Sequence, residues 1–465
     1  MEDWEVVPPI GGSCMSPGPG ARRRNHKDED DIIGIFATLL IPGKGGPVKD
    51  QAILCSRRTG KIIYLGWPSH IPPVYYNVHL QEISVVMPGM WECHAHFMGA
   101  SPRRPIDSNN LAMTNPAEAG ARNARAIKDT LYAGFTSAIE LGGYATELQR
   151  VVEEGSILGP TLYGAGGAIS MTGGHGDVFE IPYGCVHQAL SVNAPGIHAG
   201  SVVMLQVDGI DECRKAVRLN LRRGARLIKV FASGGIVSRD DPVQYQQFSD
   251  EELKVIVQEA ERNGMICAAH AMGKAGILAA IRAGVKVIEH GSYADEEVFS
   301  AMKKNDVMLV AAITPLDAIL NNEDKYPPEM YRKTADLAKV HKDAYRNAVK
   351  AGVKCALGSD LFGGPGTVQA AGINGNEVPL AVEVGGMMPL QAIEAATANG
   401  PLTLGPQAPK SGQVKEGYDA DLLGLDENPL DGIEVMRNSK SIKYIWKQGK
   451  LVKAPGLDPW SVLDR

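Results

Sequence analysis

No apolar run in this chain approaches the ~20 residues that cross a bilayer, so a membrane-spanning helix is not expected. Seven cysteines lie far apart with no C-x-x-C pair. An odd, widely spaced set argues against a disulfide frame and for free thiols in a reducing, cytoplasmic setting. Residues 1–31 lack the continuous apolar segment of a secretory signal; Arg22, Arg23 and Arg24, followed by an acidic cluster, read as a solvated tail. The excess of one sign of charge is also small. A net charge of −6 over 465 residues implies no nucleic-acid partner.

What is there is a long, apolar-rich chain: 44% hydrophobic residues can build a large core. At roughly 150 residues per domain the length suggests about three domains. A barrel absorbs about 250 residues or more, so one large unit plus a small one also fits. Residues 33–40, 52–55, 61–65 and 83–87 read as short strands punctuated by Gly, Pro and Lys. The pattern returns at 421–425 and 442–446, with a turn through Gln448 and Gly449. Residues 32–86 and 411–455 are therefore expected to form one small β-sandwich from both chain ends. It flanks a unit at 87–410, with tails at 1–31 and 456–465.

Between the flanks the pattern changes to strand, helix, strand. Ser249 and Glu252 have capping-box spacing, and Leu253, Ile256, Val257 and Ala260 follow at helical intervals up to Gly264. A buried strand at 265–269 then delivers His270. A helix over 274–283 precedes a strand at 285–288 and then Glu289 and His290. A helix over 295–304 leads to a strand at 307–312; a helix over 329–351, closed by Gly352, leads to a strand at 353–357 and to Asp360. Counting back places strands near His94, Glu140, Ile169 and Lys229, eight in all. Near-continuous apolar strands between helices imply a parallel sheet covered on both faces. A doubly wound sheet would not gather residues from strands one, four, five, six and eight. A distorted (β/α)₈ TIM barrel does, at its C-terminal rim.

Six residues on that rim suit divalent metal: His94, His96, Lys229, His270, His290 and Asp360. His94 and His96 are two apart on a strand, so both imidazoles share a face. An ammonium has no lone pair for a metal. As a carbamate formed with carbon dioxide, Lys229 offers two anionic oxygens that bridge two cations. His270 and His290 end successive strands. Glu289, by alternation, turns away and is structural, and Cys93 likewise packs away from the histidines. Asp360 can take a proton from a water and later give it to a leaving amine. Metal lowers the pKa of water toward ~7, so the chemistry is metal-assisted hydrolysis.

Other residues admit two readings. His175, in a Gly-rich loop after strand three, either touches the substrate or an oxyanion, or stabilises its loop. Arg239, after strand four, either forks a substrate carboxylate or pairs with Asp240 or Asp241. Arg103 and Arg104, after strand one, are further candidates for the carboxylate. Gly234 and Gly235 lack P-loop spacing and let the chain turn tightly beside the metals.

The segments 87–96 (Met-Pro-Gly-Met-Trp-Glu-Cys-His-Ala-His) and 228–235 (Ile-Lys-Val-Phe-Ala-Ser-Gly-Gly), with His270, His290 and Gly358-Ser359-Asp360, resemble the amidohydrolase superfamily. The resemblance is narrower to its binuclear branch with a carboxylated lysine, among ochratoxin-hydrolysing amidases, metal-dependent carboxypeptidases and Xaa-Pro-type dipeptidases. It extends over about residues 33–460 and includes 173–177, 238–241, 396–399 and 417–421. It implies a barrel plus β-sandwich and two Zn2+ ions, one on His94 and His96, the other on His270 and His290. The Lys229 carbamate bridges them and Asp360 completes the first site. It implies a small-molecule amide or dipeptide substrate and a homo-oligomer such as an octamer.

Two places depart, the loop after Asp360 (Leu361, Phe362, Gly363, Gly364) and one position beside His270. The ochratoxin-hydrolysing branch has a second histidine two residues after the one matching His270; here it is Met272, which by alternation lines the pocket. A mononuclear deaminase on the same barrel would carry a glutamate where Gly273 stands and would leave Lys229 without a role. A cyclic amidase shares the metal set. A non-catalytic scaffold would not need all six ligands.

Overall fold

The fold was analysed in a computed structural model that describes residues 31–101, 114–193, 203–364, 366–458 and 461. Arg22, Arg23, Arg24, Arg103 and Arg104 lie outside the described residues. The two flanks meet in one seven-stranded sheet, in the order β16-β15-β14-β4-β1-β2-β3. Here β1 is Ile32–Leu40, β2 Val48–Ser56, β3 Lys61–Gly66, β4 Leu80–Pro88, β14 Leu422–Leu425, β15 Ile442–Lys447 and β16 Lys450–Lys453. The junction is the antiparallel pairing of β4 with β14, Met87 opposite Leu423. Gln448 and Gly449 both have positive φ, 48° and 74°, as a tight hairpin between β15 and β16 requires. The two flanks expected to form one small β domain share this sheet, which accords in part with the expected sandwich. Ile35, Ile53, Ile83, Val86, Leu422 and Trp446 form one apolar cluster on it, and Ala52, Leu54 and Ile71 form another.

The inner strands are parallel. Three form one sheet, β5-β6-β7 (Met90–Ala95, Phe135–Glu140, Thr161–Gly164). Six form another, β13-β12-β11-β10-β8-β9. In chain order these are β8 Ala168–Ser170, β9 Met204–Gln206, β10 Ile228–Phe231, β11 Cys267–Ala271, β12 Val287–His290 and β13 Met308–Val310. Backbone hydrogen bonds join both edges of the three-stranded sheet to the six-stranded one. Residues 354–361 bridge β13 and β5, through Ala356 N to Leu309 O (3.1 Å) and Cys93 N to Leu357 O (3.0 Å). On the other side Arg226 N donates to Gly164 O (2.9 Å). The arrangement is TIM-barrel-like, and every residue of β5, β6, β10, β11 and β12 is buried.

Two elements differ from the sequence reading. The third strand arrives in two pieces, β7 and β8, in different sheets. Between them Gly166 has φ 75°, and a Cβ there would meet Asn220 Oδ1 at 2.5 Å, so the chain turns where only glycine fits. The eighth strand is an extended segment held by isolated bridges, Leu309 with Cys355 and Ala95 with Leu361. The helices follow the spacing more closely. Asp250–Glu261 starts on a Ser249/Glu252 capping box, and Lys274–Ala283 ends on left-handed Gly284. No helix among the described residues is long and apolar enough to cross a membrane.

Candidate metal centre and active site

Strand β5 delivers His94 and His96 on one face, with their Nε2 atoms 3.2 Å apart. Asp360 Oδ1 lies 3.3 Å from His94 Nε2 and 3.2 Å from His96 Nε2. Three ligand atoms thus face one point. The backbone makes this possible. Asp360 has φ 48° and donates its N–H to His94 O at 2.7 Å. At Gly358 a Cβ would meet the His94 Cβ and N at 2.6 Å, so only glycine lets the loop come this close.

A buried carboxylate, Glu92, ties strand to loop. It accepts from His94 N (3.0 Å), Ser359 N (2.8 Å), Ser359 Oγ (2.5 Å) and Asn374 Nδ2 (2.7 Å). Burial pushes its carboxyl up to about 7, against the pull of those donors. Burial also opposes ionisation of Asp360, but His94, His96 and Lys229 outweigh it and take the carboxyl down to about 2. At neutral pH Asp360 is a carboxylate.

His270 from β11 and His290 from β12 sit beside this triad. Their ring centroids are 4.7 Å apart, and His290 is 5.2 Å from His94. His270 Nε2 faces Gly234 O at 3.1 Å, which leaves Nδ1 for a ligand. Burial holds His94, His270 and His290 well below the ordinary histidine value, so all three rings are neutral and have lone pairs to give. Lys229 is 1% exposed on β10. Burial pulls its ammonium down, while Glu289 and Asp360 pull the other way. The same cavity is lined by all six of these side chains. The donor set, neutral imidazoles with a carboxylate and a buried lysine, fits a divalent metal centre.

Glu289 does not turn away as alternation predicted. Its Oε2 lies 2.8 Å from His94 Nδ1, although out of line for a hydrogen bond. His290 has φ 70°, so the extended period of two ends at that residue, and Glu289 and His290 both serve the interior. Burial pushes the Glu289 carboxyl up to about 8, while Lys229 draws it down.

His175 lines the cavity and stacks on His270 at 4.3 Å. Its Nδ1 is 2.6 Å from Ser238 Oγ and 3.0 Å from Asp241 Oδ2. Burial opposes ionisation of Asp241, but His175, Ser238 and Lys333 hold it below the usual carboxylate range. A Cβ on Gly235 would overlap the His175 ring, and one on Gly234 would meet Pro242 O at 2.4 Å. Neither glycine has positive φ, so close approach rather than a tight turn explains the pair.

Arg239 is half-exposed and pairs with Asp240 at 2.8 Å; the cavity is lined without it. Met272 is buried and does line the cavity, with Met98, Phe231, Ile236, Leu316 and Phe362. Cys93 is buried in an apolar cluster with Trp91 and Ile139. The sequence offered Asp241 only as a partner for Arg239 and Ser238 only within a matching segment, and Glu92 and His341 were passed over. A signal existed for Glu92, two residues before His94 and on its face of the strand. His341 stands far along the chain in a helix and gave none toward this site.

The Amidohydrolase family profile matches residues 85–452. The chain is 44% identical to ochratoxinase of Aspergillus niger over 97% of its own length and 95% of that protein. Its fold matches the crystal structure of A. niger ochratoxinase with TM-score 0.86, at 45% identity, over 92% of this chain and 97% of that one. A Xaa-Pro dipeptidase with bound methionine matches with TM-score 0.77, at 27% identity, over 91% of this chain and 100% of that one. The chain therefore belongs to the amidohydrolase family and is a hydrolase acting on amide bonds.

Proposed function

We propose that this protein is a dinuclear zinc hydrolase that cleaves the amide bond of N-acyl amino acids or dipeptides. In this reading it is an ochratoxinase-like amidase or carboxypeptidase on a distorted (β/α)₈ barrel. The observation that carries the reading is the convergence of His94 Nε2, His96 Nε2 and Asp360 Oδ1 within 3.2–3.3 Å. These three would hold one zinc ion and His270 and His290 the other, with Lys229 between them as a carbamate. Burial of Lys229 favours the uncharged amine, the form that adds to carbon dioxide. When bound, zinc supplies Lewis acidity toward the scissile carbonyl and lowers the pKa of water toward ~7.

The chain's own groups do the rest. Asp360 accepts the proton of the attacking water and returns it to the leaving amine. Ser238 and Asp241 occupy His175 Nδ1. That leaves His175 Nε2 for the carbonyl oxygen as it gains charge. The apolar wall of Met98, Phe231, Ile236, Met272 and Phe362 excludes water and takes an apolar side chain or acyl group. The names of the relatives agree: one is an ochratoxinase, and the dipeptidase was captured with an amino acid in its active site. Assembly as a homo-oligomer accompanies this reading.

The test is metal analysis after purification without chelator, together with a panel of N-acyl amino acids and dipeptides assayed for released amino acid with zinc and bicarbonate present. About two zinc ions per chain and release from part of the panel are expected. Fewer than one zinc per chain sinks the dinuclear reading.

A further inference from the structure

The helix Pro328–Lys350 buries Met330, Thr334, Leu337, Ala338, His341, Ala344, Tyr345 and Ala348. That spacing of three and four is a core stripe, and a histidine in it is out of place unless something uses it. Thr334, another polar side chain on the stripe, satisfies its hydroxyl on Met330 O at 2.7 Å. His341 is not settled in this way. It is 2% exposed, yet it lines the same cavity as the ligand set, close enough for its charge to act on His290. Its Nδ1 is 2.7 Å from Ser292 Oγ, and its Nε2 is buried without a hydrogen bond.

The tautomer follows from the serine. Ser292 is fully buried, and His341 Nδ1 is the partner of its hydroxyl among the described residues. A buried hydroxyl with one partner donates its proton there, so Nδ1 accepts and the neutral ring carries its hydrogen on Nε2. The ring is neutral because burial takes it down to about 4, helped by Lys342 and opposed by the nearby Ala311 carbonyl. That carbonyl is near enough to act on the ring but makes no well-formed hydrogen bond to Nε2. Apolar Leu316, Ile319, Met272 and Phe362 line the same cavity. No arginine lines it among the described residues, and the lysine that does is Lys229. A neutral donor in an apolar wall suits a neutral acceptor and not a carboxylate.

We propose that His341 is a substrate-recognition residue whose Nε2–H donates a hydrogen bond to a carbonyl-type oxygen on the otherwise apolar, uncharged part of the substrate. This rests on the amidase reading above and names what its acyl pocket selects. It also places the polar contact on the helix Pro328–Lys350, in the cavity that Met272 lines too.

The test uses pairs of N-acyl-phenylalanines on the zinc-loaded enzyme. In each pair the acyl group carries either a ketone or a methylene at the same position, and the position is varied through a series. Wild type is expected to show a KM about three- to tenfold lower for the ketone at one position, the range of a neutral hydrogen bond. That ratio should fall to about one in His341→Phe, with bound zinc unchanged. It should return in part in His341→Gln, which keeps an N–H donor and serves alone if the phenylalanine variant does not fold. A wild-type ratio near one at every position, or a ratio that survives in both variants, overturns the proposal. Calorimetric binding of the same pairs reads the ratio without turnover. Absence of any amino-acid release then counts against the amidase reading, and equal binding of every pair counts against His341.

Discussion

Glu289 Oε2 lies 2.8 Å from His94 Nδ1, on the other nitrogen of the ring from the one that faces Asp360. A carboxyl group behind a ligating imidazole supports the orientation of the ring. The pair links β12 to β5 across the site, one residue before His290. Replacing Glu289 with Gln is expected to weaken zinc binding by about 10–100-fold. Competition against a chromophoric chelator measures it. An unchanged zinc affinity would show that the contact is packing alone.

Lys229 is the one member of the ligand set that cannot bind metal as an ammonium. Lys229→Ala is expected to lose zinc retention and turnover together. Short carboxylic acids added in trans can stand in for the missing carbamate and restore part of both. Full activity in the unsupplemented variant would refute the carbamate assignment.

Met272 sits in the apolar wall beside His270, buried and with its N–H on Ser233 Oγ at 2.8 Å. Met272→His is expected to raise kcat/KM on ochratoxin-like amides, by up to about tenfold for one added neutral hydrogen bond. Steady-state kinetics on such an amide beside an apolar N-acyl amino acid checks this. No change on the first substrate would count against Met272 as the limiting departure.

His341 gives a pH dependence whose sign is fixed. Its folded value of about 4 lies below the ordinary histidine value of 6.5, so the unfolded chain binds the extra proton between those values. Its contribution to stability is therefore present above about pH 6.5 and is lost as pH falls toward about 4. Relative to His341→Leu, metal-free wild type should lose on the order of 3 kcal/mol across that window. Urea unfolding of both proteins at pH 7, 6, 5 and 4 reads the difference. A difference flat with pH would contradict a neutral buried ring.

The chain order of strands and helices was legible because local periodicity carries it. Ser249 and Glu252 cap a helix by their spacing alone, and Gly284 ends the next one because only a glycine relaxes in its left-handed conformation. The pairing of His94 with His96 follows from the two-residue repeat of β5. The same rule failed at Glu289, since it holds only while the backbone stays extended and His290 has φ 70°. It failed again in the third unit, where Gly166 splits the strand in two.

By itself the sequence determined which chemistries were open: neutral imidazoles, a carboxylate and a lysine at strand ends, in an apolar chain whose motifs match one family. Only the tertiary structure decided which groups stand behind those ligands. Glu92 grips the Asp360 loop from 267 residues away in the chain, and His341 reaches the cavity from a helix 49 residues beyond its serine partner. Contacts at such separations are set by how elements pack around a shared core. No local repeat in the chain encodes them.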